Sequence, residues 1–434
     1  MSMSPELSRA IEAGAVIAYG ATPGWAAWLA AERSASELVV VVAADDQAAR
    51  EIEEDVRFWL GDDRDSAELD PIASLPGIDV SPYAELSPDR SCIVERVATL
   101  YRLTQPELRP RLVITSAEAL ARKTMPVAEL AARGLVIAKG QTIDRDQIAK
   151  VLTDGGWSRT PVVDEPGTFA VRGGVVDVYS PLSPHPVRIE LFGDDVETLR
   201  TFDAESQRTL REIERVVLHP VRETIVTGAS DVRGRIREYA DEIAFPSKAT
   251  RRTIEQLETG SVFVGIEGLV PAFHDEMVAP AAYMPADARW LIVNTELAKR
   301  AVTDLLADAD LRWVNRSQLE REPSGKMKDL AYPPDRHFTR EPLPLMSPRR
   351  IELSSLEVTG ESDATRIRVD IDDLRVLRQE LDHARTFGDT EHVTPLLAAL
   401  KRWRADGVTV TIALDSQSRI DRLAGVLEQR GVTD

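Results

Sequence analysis

Three short apolar runs, Ala15–Tyr19, Leu38–Ala43 and Leu112–Thr115, stand in the first 125 residues with helix-period segments between them. Apolar runs this short, without polar alternation, suit strands covered on both faces. Between them Ala48, Ile52, Val56 and Leu60 recur every fourth residue. Asp45 and Asp46 precede that helix, where carboxylates complement its positive end. Alternating strand and helix signals predict a parallel α/β sheet.

From about Gly134 to Pro220 the pattern changes to strands broken by Gly and Pro: Phe169–Val171, Val175–Tyr179, Val187–Phe192 and Val196–Phe202. This predicts a small α+β unit. Helical patterns return at 231–258, and strands are expected to follow at Val262–Val264 and Trp290–Val293. The segment 321–350 is rich in proline and charge and reads as an extended connector. Two helices, about 370–387 and 393–405, then precede a strand at Val408–Leu414. Asp415 reads as the N-cap of a last helix, with Gly431 past its end. At 434 residues the chain is expected to form three or four packed units. No stretch approaches the roughly 20 apolar residues needed to cross a bilayer, so no membrane association is expected. Cys92 is the only cysteine, and the start MSMSPELSRAIEAGA shows no secretory signal. Both fit a cytoplasmic protein.

A net charge of −19 opposes nonspecific DNA binding, which needs Lys and Arg to displace phosphate counterions. The one interrupted basic cluster, Lys248, Arg251 and Arg252, reads as a solvated helix face. After the first strand, Gly20-Ala21-Thr22-Pro23-Gly24-Trp25-Ala26 occupies the place of a phosphate-binding loop. A working P-loop needs G-x-x-x-x-G-K-[ST], with the lysine on the phosphates and the hydroxyl on magnesium. Both are missing after Gly24, and the glycines are four apart. Asp275-Glu276 is the nearest acidic pair for a metal, but Pro271 in the preceding run argues against a core strand there. Lys326 reads as a linker lysine. The six histidines and one cysteine form no zinc motif, and there is no G-x-S-x-G elbow. Catalysis by this stretch is not expected.

Residues 167–208 carry the most information. With a period of two, Val187, Ile189 and Leu191 face one way while Arg188, Glu190 and Phe192 face the other. Arg172 likewise lies opposite Phe169 and Val171. Two arginines and a phenylalanine on polar faces fit a contact surface. Periodicity equally admits a plainer reading, with Phe192 folded under the Gly193-Asp194 turn and both arginines paired with Glu190 or Asp177.

Phe169, Arg172-Gly173, Tyr179, Pro181 to Pro186, Arg188, Glu190, Phe192, Asp194-Asp195, Phe202-Asp203 and Gln207-Arg208 follow one another in a long and specific pattern. It resembles the module shared by bacterial transcription-repair coupling factors (Mfd) and the excision-repair protein UvrB. Leu75–Leu103 and Leu112–Pro126 also look like the first domain of that family. The resemblance implies a UvrB-like α/β domain from 1–128 and 222–352 without a working P-loop, Gly20 and Gly24 marking the degenerate loop. It further implies an inserted UvrA-binding domain at 129–221 and a small α/β domain at 353–434. The matching UvrA-binding positions are Arg172, Arg188 and Phe192. The tyrosine-rich DNA hairpin of UvrB has no counterpart near Pro82-Tyr83. The expected role is an adaptor that recruits UvrA, with no cofactor of its own. ATP, magnesium, DNA and RNA polymerase are expected to engage further domains of a longer parent that is an ATP-dependent translocase. The alternatives are a degenerate UvrB-like DNA-binding repair protein and an ATPase with an atypical loop.

Overall fold

The computed structural model describes residues 3–61, 69–225, 231–258, 263–319, 330–357, 363–371, 374–386, 393–412, 414 and 416–432. Four strands precede the insertion: β1 (Val16–Tyr19), β2 (Val39–Ala43), β3 (Ile72–Leu75) and β4 (Leu112–Ser116). The inserted region holds β5 (Leu135–Ala138), β6 (Ser158–Arg159), β7 (Thr168–Arg172), β8 (Val175–Val178), β9 (Val187–Phe192), β10 (Asp195–Phe202), β11 (Thr209–Glu212) and β12 (Arg215–Leu218). Then come β13 (Arg289–Val293), β14 (Arg350–Ser354) and β15 (Thr365–Arg368).

The expected mixed α/β fold with a parallel sheet is present. Seven parallel strands run in the order β15-β1-β14-β13-β2-β4-β3. All five residues of β2 are buried, as its unbroken run of valines requires. The helix Asp46–Leu60 begins where the carboxylates predicted it, with the Asp45 side chain accepting from the Ala48 N–H.

Residues 350–368 depart from the expected boundary at 353, because β14 and β15 complete this first sheet on either side of β1. The sequence hides β14 because a central strand here carries charge. Arg350 donates from Nε to Glu352 at 2.9 Å and also pairs with Asp363. The expected connector also differs. Within it, Leu330, Ala331 and Tyr332 are buried, and Tyr332 stacks on Tyr239 at 4.1 Å.

The chain divides into two compact units, 1–368 and 369–434. Among its described residues the second unit is helical: Arg375–Thr386, Thr394–Ala405 and Gln417–Gln429. The strand expected at Val408–Leu414 is absent from the described residues of that range, Ala413 lying outside them. Asp415 also lies outside the described residues, and Ser416 occupies the N-cap position. No described helix is long and apolar enough to cross a membrane.

The inserted region has its own core. Its six-stranded sheet, β11-β10-β9-β8-β7-β6, packs Val176, Val178, Val187 and Ile189 against Ile148 and Leu152 of the helix Arg145–Asp154. A two-stranded ribbon, β12-β5, closes the unit near its entry and exit. At that closure His219 stacks on Tyr101 at 4.9 Å, and its Nδ1 lies 2.6 Å from the Pro220 carbonyl oxygen. Burial pushes the imidazole down to about 4, so it is neutral in the folded protein.

In the unfolded chain a histidine protonates below about 6.5. The unfolded state therefore binds the extra proton between pH 6.5 and 4, and stability falls with falling pH in that window. We expect His219→Gln to flatten this loss relative to wild type by about 2–3 kcal/mol at pH 4. Urea unfolding at pH 7, 5.5 and 4 measures the difference.

Candidate functional site

The candidate site is the face of the six-stranded sheet turned away from its core. Residues directly opposed on neighbouring strands share a face. The register places Ala170, Asp177, Arg188 and Arg200 in one row across β7 to β10. Arg172, Val175, Glu190 and Thr198 form the next row. Phe192 opposes Asp195 at the end of the β9–β10 hairpin. Sheet pairing thus brings the three predicted residues, Arg172, Arg188 and Phe192, onto one face.

The plainer reading of that face holds in part. Arg188 does pair with Asp177, donating from Nε and Nη2 at 2.7 and 2.9 Å in a two-pronged contact with a carboxylate only 3% exposed. Those hydrogen bonds raise the guanidinium pKa above its ordinary value. The guanidinium also lies 4.8 Å over the ring of Phe202, which is fully buried with Val163 and Ala170 in a small cluster on this side of the sheet. Glu190 is engaged by Thr198 at 2.5 Å and more loosely by Arg200 at 3.4 Å. Arg172 donates to the carbonyl of Pro161 instead of to either carboxylate.

Phe192 does not fold beneath the turn; it is 80% exposed. The two-residue loop Gly193-Asp194 explains why. Gly193 adopts a φ of 64°, the conformation such a tight hairpin asks of its first loop residue, and no chain remains there to cover the ring. A phenylalanine this exposed at a rigid hairpin end is a ready anchor for a partner. Sequence reading missed Phe202 as the shelf under Arg188 and Pro161 as the acceptor for Arg172. The available signal was the aromatic at Phe202, but its placement needs the strand register.

The loop after β1 has different chemistry. Gly20 turns with a φ of 82°, and the Thr22 hydroxyl caps the next helix by accepting from the Trp25 N–H at 3.3 Å. Pro23 has no N–H to give, Ala26 donates to the Thr22 carbonyl, and the Ala21 N–H donates to Ser354. Trp25 and Ala26 are buried where a phosphate-binding loop would place its lysine and hydroxyl. At the acidic pair, Asp275 is bound by Arg235 at 2.7 Å, and the preceding Ile266–Phe273 forms a 3-10 helix. No group of three or more His, Cys, Asp or Glu suited to a metal occurs among the described residues. Lys326 lies outside the described residues.

Residues 135–223, which contain this face, match the family described as the UvrB interaction domain. The inserted six-stranded unit is thus the part of the chain that is similar to the UvrB interaction domain. Over 91% of its length the chain is 34% identical to the transcription-repair-coupling factor of Myxococcus xanthus, of which it covers 33%. It is 29% identical over 66% of its length to the factor of the same name from Escherichia coli, of which it covers 24%. With that of Bacillus subtilis it shares 33% identity over 30% of its length and 11% of the relative. The resemblance read from the motifs is borne out: this chain is similar to the transcription-repair coupling factors over most of its own length. It spans a third or less of those relatives.

Removing the arginine of a buried pair leaves the carboxylate stranded. Arg188→Ala is therefore expected to destabilise the inserted unit by about 3 kcal/mol. Adding Asp177→Asn should recover most of that loss, because no charge is then left unpaired. Phe192→Ala should stay within about 0.5 kcal/mol of wild type. Guanidinium unfolding of the four proteins distinguishes these effects.

Proposed function

We propose that this chain is an adaptor that recruits UvrA through the outer face of the six-stranded sheet, using Arg172, Arg188 and Phe192. The observation that carries the reading is Phe192, 80% exposed beside a braced arginine within the segment that matches the UvrB interaction domain. An aromatic anchor and an arginine held in place are the residue types that dominate binding energy at protein interfaces.

We place the chain in transcription-coupled nucleotide excision repair, acting in the cytoplasm and linking a stalled RNA polymerase to UvrA. Contacts with polymerase and DNA, and ATP-driven translocation with magnesium, are assigned to further domains of a longer protein. The reading of this stretch as non-catalytic is supported by the loop after β1, where the Ala21 and Trp25 N–H groups already have acceptors and buried Trp25 and Ala26 stand in place of lysine and hydroxyl. The reading that it does not clamp DNA is supported by Tyr83. This tyrosine is buried and donates to the Tyr332 carbonyl at 3.0 Å, so it offers no ring for base stacking. The net charge of −19 points the same way.

In calorimetric titration against UvrA, wild type should bind and Phe192→Ala should cost about 2 kcal/mol or more with folding unchanged. Absence of wild-type binding overturns the adaptor reading. Filter binding with duplex DNA should show no more than weak, steeply salt-dependent retention, and equilibrium dialysis should show no saturable ATP binding. Tight DNA binding favours the degenerate UvrB-like alternative, and saturable ATP binding favours the ATPase.

A further inference from the structure

We propose that Asp177 is a positioning residue of the partner-binding face, acting through Arg188. The proposal deepens the UvrA reading and rests on it. Asp177 sits on β8, opposite Arg188 in the register, with its carboxylate almost fully buried in the sheet. It accepts from both Nε and Nη2 of Arg188, so one edge of the guanidinium is fixed in plane. The ring of Phe202 fixes the same group from one side at 4.8 Å. Nη1 is left without a partner among the described residues, on a side chain that keeps 24% of its exposure. The pair therefore offers a partner one outward donor corner in a preset position.

The neighbouring arginines lack this arrangement. Arg200 is shared loosely between two carboxylates, Glu190 at 3.4 Å and Glu212 at 3.7 Å, with neither in a two-pronged contact, and Arg172 reaches a single backbone carbonyl. Ordering a long side chain opposes association, and a guanidinium ordered beforehand spares that loss. Neither a weak surface ion pair nor a general role in folding needs a buried, two-pronged acceptor at this position. Positioning does, because the second hydrogen bond sets the plane as well as the distance.

The test is titration of UvrA with the full chain as wild type, Asp177→Asn, Asp177→Glu, Arg188→Ala, the double variant Asp177→Asn with Arg188→Ala, and Phe192→Ala, with unfolding measured on each. If Asp177 acts through Arg188, Asp177→Asn weakens binding about tenfold, the scale of one side chain's ordering. In the Arg188→Ala background the same change has no further effect on affinity. Asp177→Glu keeps the charge pair but displaces the fork by one methylene, so it weakens binding while the protein stays folded, and it serves as the test should Asp177→Asn unfold. Equal weakening by Asp177→Asn in both backgrounds overturns positioning, as does wild-type affinity in a folded Asp177→Glu. If Phe192→Ala weakens binding while Asp177→Asn and Asp177→Glu do not, Asp177 alone is eliminated. A wild type that does not bind UvrA overturns both readings.

Discussion

An insertion within a parallel sheet has to leave and re-enter the parent unit at one place, and the polar groups trapped there have to be satisfied. Here that place is the junction between Thr124 and Glu223. The Thr124 hydroxyl donates to the Glu223 carboxylate, joining the outgoing chain to the returning one. His274 lies between them, its ring nitrogens 2.8 Å from the Glu129 carboxylate and 3.0 Å from the Glu223 carbonyl oxygen. The Thr124 backbone pairs in both directions with Val278. Close by, the buried Arg96 donates to the carbonyls of Pro76, Ala119 and Arg122. These hydrogen bonds let two separate cores form on either side of one crossing point.

With the junction tied, the inserted sheet does most of its packing on one face. The inner face takes the aliphatic residues of β7 to β10 and the helix Arg145–Asp154. The outer face carries polar pairs, a small apolar cluster of Val163, Ala170 and Phe202, and one exposed aromatic. Its order comes from cross-strand pairing: Asp177 braces Arg188, Glu190 engages Thr198 and Arg200, and the hairpin loop holds Phe192 outward. Rigidity there comes from the backbone ladder, the two-pronged Asp177–Arg188 pair and the small apolar cluster beneath it. Side chains held in this way have little conformational freedom left to lose.

The loop after β1 follows the opposite logic. A helix start can bind anions when its N–H groups are open. At Pro23 the imino acid has no N–H to offer, the Trp25 N–H is taken by the Thr22 cap, and the Trp25 ring is buried. The geometry is that of a stable turn between strand and helix.

Much of the fold was legible from local periodicity. The buried runs of β1, β2 and β4, the capped helix at Asp46 and the strand alternation of β9 are properties of a few adjacent residues. Hydrophobic burial and helix capping act at that range. Facing was legible in the same way, so Arg188 and Phe192 could be placed on a polar surface. The missed features depend on distant partners. Strand β14 carries Arg350 and Glu352 through the middle of a sheet, tolerable only because Asp363 and the two strands beside it lie close. The segment 330–350 looks like a connector until Tyr239 and Tyr83 pack on it. The sequence by itself determined an α/β protein with a UvrB-like insertion and named the residues on its outer face. Only the tertiary structure decided that Arg188 is braced by Asp177 and that Phe192 stands free, because strand register and cross-strand charge pairing are set by residues far apart in the chain.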